Sequence, residues 1–218
     1  MFYKGYSHSS KKVICGIDEA GRGPVLGPLV VVGFCVEAVN VEVIKKLGVK
    51  DSKLLSKRQR EEFYKDLIEF PHKIIIISPE EIDNRFDNNK NLNSLEVDAM
   101  ESIIKHFKPE KTIIDSPYKD CDKLKVELNL GENDIVEHKA DENYAVVSAA
   151  SIIAKVTRDN EIKKLEKEYN VSMGSGYPSD PYTIAFLKKG KEYPFIRKSW
   201  ETYKNILKEK QQKKLFDF

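Results

Sequence analysis

Short apolar runs, separated by polar segments, recur through the first 140 residues of the chain. Residues 13–18 and 29–36 predict two strands joined by a glycine-rich turn. Three further strand-length runs lie at residues 73–78, 111–115 and 134–138. The longest apolar run, residues 29–36, is far shorter than the roughly 20 residues that a membrane-spanning helix needs. The pattern predicts several strands and no membrane span.

Helical segments alternate with these strands. Three helix starts are predicted where a polar residue is followed, three positions later, by a Glu or Gln side chain: Ser56 with Gln59, Ser78 with Glu81, and Asn93 with Glu96. A short helix is predicted near residues 120–128. Strands that alternate with helices are typical of an α/β layered core.

The pattern changes after the last predicted strand. A long helix is predicted from about Asp141, and a short helix at residues 180–188 and a terminal helix from Ser199 follow it. One face of the long helix carries mostly small residues, which favour close packing on a sheet: Ala145, Ala149, Ile152 and Val156. We expect an α/β core over residues 1–170, a basic helical region over residues 171–210 and a tail over residues 211–218.

The charge distribution separates the body of the chain from its last third. The 218 residues carry 37 basic and 35 acidic side chains, and this net charge of +2 excludes a uniformly basic nucleic-acid coat. Residues 1–154 hold 22 basic and 26 acidic side chains, a net of −4, whereas residues 155–218 hold 15 and 9, a net of +6. An acidic body with a basic C-terminal part can hold metal ions in one place and phosphates in another.

The cysteines and the N-terminus bear on the compartment. Cys15, Cys35 and Cys121 have neither the even number of a disulfide framework nor the spacing of a zinc site. The first residues lack the apolar stretch of a signal peptide. Both observations predict a cytoplasmic protein with reduced cysteines.

The segment GIDEAGRGPVLGP, residues 16–28, carries the first candidate chemistry. Asp18 and Glu19 end an apolar strand, and on their own they could simply be exposed turn carboxylates. Gly21 and Gly23 on either side of Arg22 free the backbone to approach a ligand closely. The Arg22 guanidinium can also meet a phosphate with two parallel hydrogen bonds.

Two more carboxylates fit the same plan. Asp115 closes a buried strand, at the end where α/β sheets place ligand sites. Asp141 lies at the start of the long helix, where the ordinary alternative is a helix N-cap. Four acidic groups at one sheet edge repel each other unless cations join them, and hard oxygen ligands suit Mg²⁺ or Mn²⁺. Two such ions, about 4 Å apart, can activate water for phosphodiester hydrolysis.

These motifs, in this order, resemble type 2 ribonuclease H, and most closely its archaeal branch. The resemblance rests on GIDEAGRGP, VKDSKLLS, TIIDSP, HKADENYAVVSAASIIAKVTRD and GSGYPSDP, and spans about residues 13–200. It implies an RNase H-like fold, a mixed five-stranded sheet flanked by helices, with a C-terminal helical region. It also implies an endonuclease that cleaves RNA in RNA–DNA hybrids and at ribonucleotides embedded in duplex DNA, with two Mg²⁺ or Mn²⁺ ions.

The resemblance assigns roles to individual residues. The four metal-binding acids of the family fall on Asp18, Glu19, Asp115 and Asp141. The loop that reads the ribose 2′-hydroxyl through backbone groups falls on Gly21, Arg22 and Gly23, and the junction-sensing tyrosine on Tyr177. A segment near the substrate backbone falls on Asp51, Ser52 and Lys53, although Lys50 stands where many relatives have asparagine. Lys139 and Arg158 are weaker candidates for phosphate contacts.

The tail is a second motif with two interpretations. Gln212, Leu215 and Phe218 resemble a sliding-clamp-binding peptide, although the usual pair of terminal aromatic residues is reduced to Phe218. The alternative is a frayed helix end whose last apolar residues pack back on the body.

The expected protein is a monomer without membrane contact. A non-catalytic nucleic-acid-binding module of the same fold is the alternative to an enzyme, and the presence of all four acids argues against it.

Overall fold

A mixed five-stranded sheet forms the centre of the computed structural model, which describes residues 12–49 and 55–216. The strands are β1 (Val13–Ala20), β2 (Leu29–Glu37), β3 (His72–Ile77), β4 (Lys111–Asp115) and β5 (Ile135–Glu137). They lie in the order β3-β2-β1-β4-β5, with β2 antiparallel to both β1 and β3. β1, β4 and β5 are parallel, so their carboxyl ends meet at one edge. The predicted five strands and mixed sheet are confirmed.

Helices cover both faces of this sheet and form the C-terminal region. In chain order they are α1 (Val41–Lys46), α2 (Lys57–Leu67), α3 (Pro79–Asn84), α4 (Leu92–Phe107), α5 (Cys121–Glu127), α6 (Ala140–Asn143), α7 (Ala145–Tyr169), α8 (Pro181–Lys188) and α9 (Glu201–Phe216). No helix of the described ranges is long and apolar enough to cross a membrane. Cys15, Cys35 and Cys121 are free, as predicted.

Strand β2 is buried on both sides, because alternate residues contribute to two separate hydrophobic clusters. Val30 and Phe34 pack into the cluster beneath α7, whereas Val31 and Cys35 pack into the cluster beneath α4. Helix α7 lies close to β1: a side chain at Gly16 would collide with the backbone of Val146. The long helix is thus held at a fixed distance from the strand that carries the first candidate acids.

A third cluster joins the C-terminal region to the connection between β1 and β2. Val25 and Leu26, from that connection, are fully buried against side chains of α8 and the segment before α9. Leu26 also forms an isolated β-bridge with Ile196. The last third of the chain therefore holds the loop that follows Asp18 and Glu19.

Two of the three predicted helix starts are confirmed, with reciprocal capping boxes at Ser56 and Ser78. The third is wrong by two residues. Asn91 is the N-cap of α4, and it forms the capping box with Ser94. Asn93 and Glu96 lie inside the helix, on the side that meets Arg22. Sequence spacing alone could not distinguish two asparagines in NLNS.

The prediction of one long helix from about Asp141 is also corrected. Tyr144 adopts an extended conformation (φ −122°, ψ 118°) between α6 and α7. Asp141 lies in the first turn of α6, and the N-cap position is taken by Lys139 in a left-handed conformation. The break separates α6 from α7, and Asp141 of α6 lies near Asp18 and Asp115 at the carboxyl ends of two parallel strands.

Candidate active site

Three carboxylates meet where the parallel strands end. Ile17 of β1 lies opposite Ile114 of β4, so Asp18 and Asp115 follow side by side at one edge of the sheet. Asp141 reaches this edge from α6, shortly after β5 ends. Carboxylate oxygens of the three aspartates all lie within 4.8 Å of one another. Ligand sites of α/β sheets are commonly found at this edge.

Backbone amides orient two of these carboxylates. The Glu19 N–H donates to Asp18 Oδ1 at 2.7 Å, and the Lys139 N–H donates to Asp115 Oδ1 at 2.8 Å. Lys139 has φ of 61°, and this left-handed turn directs its amide toward Asp115 while it starts the helix that carries Asp141. Asp18 and Asp141 are buried.

The electrostatics of this group favour a bound cation. Burial first, and then the charge of Asp115, raise the pKa of Asp18 to about 7. Burial, followed by the charges of Asp18, Glu96 and Asp115, raises the pKa of Glu19 well above its ordinary value. A divalent cation would offset this repulsion, and a set of carboxylate oxygens suits Mg²⁺ or Mn²⁺. The side chains therefore fit a metal ion.

Glu19 lies next to this group rather than within it. Neighbouring residues of a strand point to opposite faces, which separates the Glu19 carboxylate from that of Asp18. Glu19 Oε2 is buried and has no hydrogen-bond partner among the described residues. The structure thus brings three of the four predicted acids together, and places Glu19 within electrostatic range of them.

Helix α7 supplies two polar neighbours that sequence reasoning missed. Ser151 is hydrogen-bonded to the Asp18 carboxylate, and Lys155 Nζ donates to Ser151 Oγ at 2.7 Å. The Ser151 hydrogen bond and the positive charge of Lys155 each lower the pKa of Asp18 and partly oppose the effect of burial. The two residues are four apart and so share a helix face. This four-residue spacing could have pointed to the pair in the sequence. The segment was interpreted only as a helix face that packs on the sheet.

The side chain of Arg22 is held by two side chains of α4. Its Nη1 forms an ion pair with the buried Glu96, and its Nη2 donates to Asn93 Oδ1 at 2.6 Å. Two N–H groups of this guanidinium are thus engaged within the protein, and the bidentate phosphate contact stays a prediction. Burial raises the pKa of Glu96 to about 7, and the nearby Arg22 charge opposes that rise.

The backbone of the same loop is held from the opposite side by residues near the C-terminus. Arg197 is fully buried and donates to three carbonyls: Gly27 O at 2.9 Å, Gly21 O at 2.7 Å and Arg22 O at 3.2 Å. Trp200 Nε1 donates to Gly23 O at 3.1 Å. Burial lowers the pKa of Arg197 to about 9, which leaves it charged at neutral pH. Arg197 was not among the predicted site residues, because its only signal in the sequence is a charge after the apolar segment PFI.

Tyr177 lies beside the glycine loop. A side chain at Gly23 would lie 3.7 Å from Tyr177 Cε1, and the tyrosine itself is 41% exposed. Arg158 Cζ lies 5.4 Å from the centre of the tyrosine ring. Arg158 is buried and donates to Leu26 O at 3.2 Å, so its predicted role as a phosphate contact is not supported.

The remaining predicted site residues are only partly described. Asp51, Ser52 and Lys53 lie outside the described residues. Gln212 is exposed on α9, the backbone of Leu215 continues that helix, and Phe218 lies outside the described ranges.

The comparisons with known proteins agree with this geometry. A family model described as ribonuclease HII matches residues 15–203. The chain belongs to the ribonuclease HII family. Ribonuclease HII of Methanococcus maripaludis is 46% identical over 224 residues, which cover 96% of this chain and 93% of the relative. The expectation of an enzyme, a type 2 ribonuclease H, is thereby confirmed.

Solved structures of the family share the fold. The crystal structure of ribonuclease H2 from Pyrococcus horikoshii has a TM-score of 0.82 and 40% identity, and covers 91% of this chain and 99% of its own. A structure of the PCNA:RNase HII complex from Archaeoglobus fulgidus has a TM-score of 0.79 and 40% identity, and covers 88% and 96%. The predicted RNase H-like fold and its archaeal likeness are confirmed.

Proposed function

We propose that this member of the ribonuclease HII family hydrolyses the phosphodiester on the 5′ side of ribonucleotides, in RNA–DNA hybrids and at single ribonucleotides in duplex DNA. The products would carry a 3′-hydroxyl and a 5′-phosphate. The observation that carries the proposal is the convergence of Asp18, Asp115 and Asp141 within 4.8 Å, at the edge of the sheet next to a glycine loop and an exposed tyrosine.

The three aspartates, with Glu19 beside them, would hold two Mg²⁺ or Mn²⁺ ions. When bound, such ions activate a water molecule and stabilise the leaving 3′-oxygen. The protein's part is positional. The amides of Glu19 and Lys139 fix the carboxylates of Asp18 and Asp115, and burial excludes bulk water from their inner side.

The loop of Gly21, Arg22 and Gly23 and the ring of Tyr177 would read the sugar. A ribose differs from a deoxyribose by a 2′-hydroxyl, which both donates and accepts hydrogen bonds. Backbone groups of a loop with two glycines can reach this hydroxyl without obstruction by side chains. The flat ring of Tyr177 can pack on a deoxyribose, where an added hydroxyl would crowd it.

The decisive experiment is a nicking assay on duplex DNA that carries one ribonucleotide. We expect one cut, on the 5′ side of the ribonucleotide, that requires Mg²⁺ or Mn²⁺, and no cut in the all-DNA duplex. A protein that binds the duplex but never cuts it would instead be a non-catalytic module.

Tyr177→Ala should lower the cutting rate at a single ribonucleotide about tenfold more than the rate on a long RNA–DNA hybrid. Only the first substrate has an RNA-to-DNA step at every productive site. Tyr182→Ala is the matched control, because Tyr182 is 78% exposed on α8. An equal loss on both substrates would remove Tyr177 from junction sensing.

The regions of the chain would divide these tasks. Residues 1–170 would carry catalysis. Residues 171–210 would support the glycine loop and supply Tyr177, and residues 211–218 would bind a sliding clamp. Residues 51–53 would contact the substrate backbone.

A relative from Archaeoglobus fulgidus forms a complex with PCNA, which supports a clamp partner for this chain. We keep the proposal of an otherwise monomeric, cytoplasmic protein.

Deletion of residues 212–218 should abolish clamp binding and leave the nicking of a short substrate intact. Leu215 and Phe218 would insert their apolar side chains into a hydrophobic groove on the clamp, with Gln212 as the polar residue of the motif. The affinity should be modest, about micromolar, after ordering costs. Titration calorimetry with the cognate clamp measures this, and Gln211→Ala serves as the control. A truncated chain that binds equally well, or that melts at a lower temperature, would show that the tail is structural.

A further inference from the structure

Arg22 of the glycine loop and Glu96 of α4 form an ion pair that the proposed function leaves unexplained. Glu96 is fully buried inside α4, although an isolated carboxylate in an apolar core is strongly unfavourable. Its Oε2 accepts from Arg22, whereas its Oε1 has no hydrogen-bond partner among the described residues. An apolar residue of similar volume, together with an apolar partner, would serve stability at least as well. The pair therefore calls for a role other than stability.

Asn93 and Glu96 act on the same guanidinium. They are three residues apart on α4 and so lie on one side of the helix. Both terminal nitrogens of Arg22 are engaged, Nη1 by Glu96 and Nη2 by Asn93. These bonds take two of the five N–H donors of the guanidinium and hold it against α4.

The carbonyls of the loop are fixed from another side. Arg197 binds the carbonyls of Gly21 and Arg22, and Trp200 binds that of Gly23. Because a trans peptide is planar, the N–H of the next residue points opposite to each carbonyl. The amides of Arg22 and Gly23 are thus directed away from the Arg197 guanidinium. Two successive amides with this orientation suit an oxygen ligand.

We propose that Glu96 is a positioning residue, which with Asn93 anchors the side chain of Arg22 and so presets the backbone amides of Arg22 and Gly23 for the substrate sugar. Arg22 is then a tether within the protein and not a phosphate ligand. This inference rests on the proposed function, because it names how the same loop is held.

The test compares Glu96→Gln, Arg22→Met and the double variant in the single-ribonucleotide nicking assay. Glu96→Gln keeps the shape of the side chain but removes its charge. We expect kcat/KM to fall about 10- to 100-fold, because small displacements of positioning groups have effects of this size. The melting temperature should not fall, and binding to an all-DNA duplex should not change. Glu101→Gln, on the exposed side of the same helix, should behave as wild type.

Two further measurements distinguish an Arg22 side chain that anchors the loop from one that contacts a phosphate. The double variant should be no worse than Arg22→Met alone, because each change breaks the same link. The slope of log(kcat/KM) against log[salt] should be the same for wild type and Arg22→Met. A lost phosphate contact would make that slope shallower by about 0.9.

Any of four results would overturn the inference: multiplied losses in the double variant, a shallower salt slope for Arg22→Met, an unfolded Glu96→Gln protein, or a Glu96→Gln enzyme that nicks at the wild-type rate. If the wild-type protein itself fails to nick, the proposed function is wrong, and this outcome is distinct from the others.

Discussion

Asp18→Asn and Asp115→Asn should each lower kcat for nicking about 1,000-fold or more, while the affinity for the RNA–DNA hybrid survives. Each substitution removes a charged oxygen from the group that spans 4.8 Å, and metal-assisted charge stabilisation contributes several kcal/mol to such reactions. Proteins contact phosphates mainly through basic, polar and backbone groups rather than carboxylates, so we expect binding to be retained. Rates and affinities are to be measured at saturating Mg²⁺.

Asp66→Asn is the control for this prediction, because Asp66 is exposed on α2. It should nick at the wild-type rate. Glu19→Gln and Asp141→Asn should also be severely impaired, although water could partly replace the Asp141 oxygen. Near-wild-type nicking by either Asp18→Asn or Asp115→Asn would remove these residues from the proposed metal site.

Asp18→Asn, which should lower activity, should raise the stability of the metal-free protein at high pH. The pKa of Asp18 is raised to about 7 in the folded chain, against about 3.9 in an unfolded one. The folded state therefore binds more protons than the unfolded state between these values, and its stability falls as pH rises from about 4 to about 7. Above pH 7 this contribution is fully lost. Asp18→Asn has no such loss.

At pH 8 without metal, Asp18→Asn should thus melt at a higher temperature than wild type, and at pH 4 the difference should vanish. Added Mg²⁺ should raise the melting temperature of wild type more than that of the variant, because a ligand stabilises the state that binds it. Thermal unfolding in a chelator at both pH values measures the first effect. A variant that is less stable than wild type at pH 8 would contradict this account of Asp18.

Arg197→Met should lower the free energy of unfolding by about 3 kcal/mol, through the loss of charged hydrogen bonds to the carbonyls of Gly21, Arg22 and Gly27. The corresponding drop in melting temperature is about 6–12 °C for a chain of this size. Nicking at a temperature where the variant is still folded should also fall, because the glycine loop loses its support.

Arg197→Lys should restore little, since one ammonium cannot match a planar guanidinium that serves three carbonyls. Arg58→Met is the control, because the Arg58 side chain is 89% exposed. Calorimetry and circular dichroism give the melting temperatures. If Arg197→Met melts at the same temperature as wild type, the guanidinium does not stabilise the fold through these carbonyls, and the prediction is wrong.

The local sequence was enough to predict most elements of the core. The apolar run of β2 has two buried faces, and a strand of this kind is apolar throughout. Ser56 and Ser78 mark helix starts because their capping boxes depend only on residues three apart. The helix start at Asn93 failed because Asn91 competes for the same role two residues earlier.

The candidate site was predictable for a similar reason. Asp18 and Asp115 lie at the ends of apolar strands, and parallel neighbours bring such ends together. Their position along the chain thus nearly determines their position in space. The position of Asp141 in space depends on the extended residue Tyr144 between α6 and α7, which no local pattern indicated.

Contacts between distant parts of the chain were decided only by the tertiary structure. Arg197 meets Gly21 across 176 positions, and Arg22 meets Glu96 across 74. In the sequence Arg22 was interpreted as a ligand-binding residue and Glu96 as part of a helix cap, and Arg197 was not singled out, because nothing in their neighbours reveals these partners. The sequence by itself determined the strands, the acids and the family resemblance, since these depend on periodicity and motif. Only the tertiary structure decided which charged side chains are buried and which groups they bind. A buried charge depends on partners that are distant in the sequence.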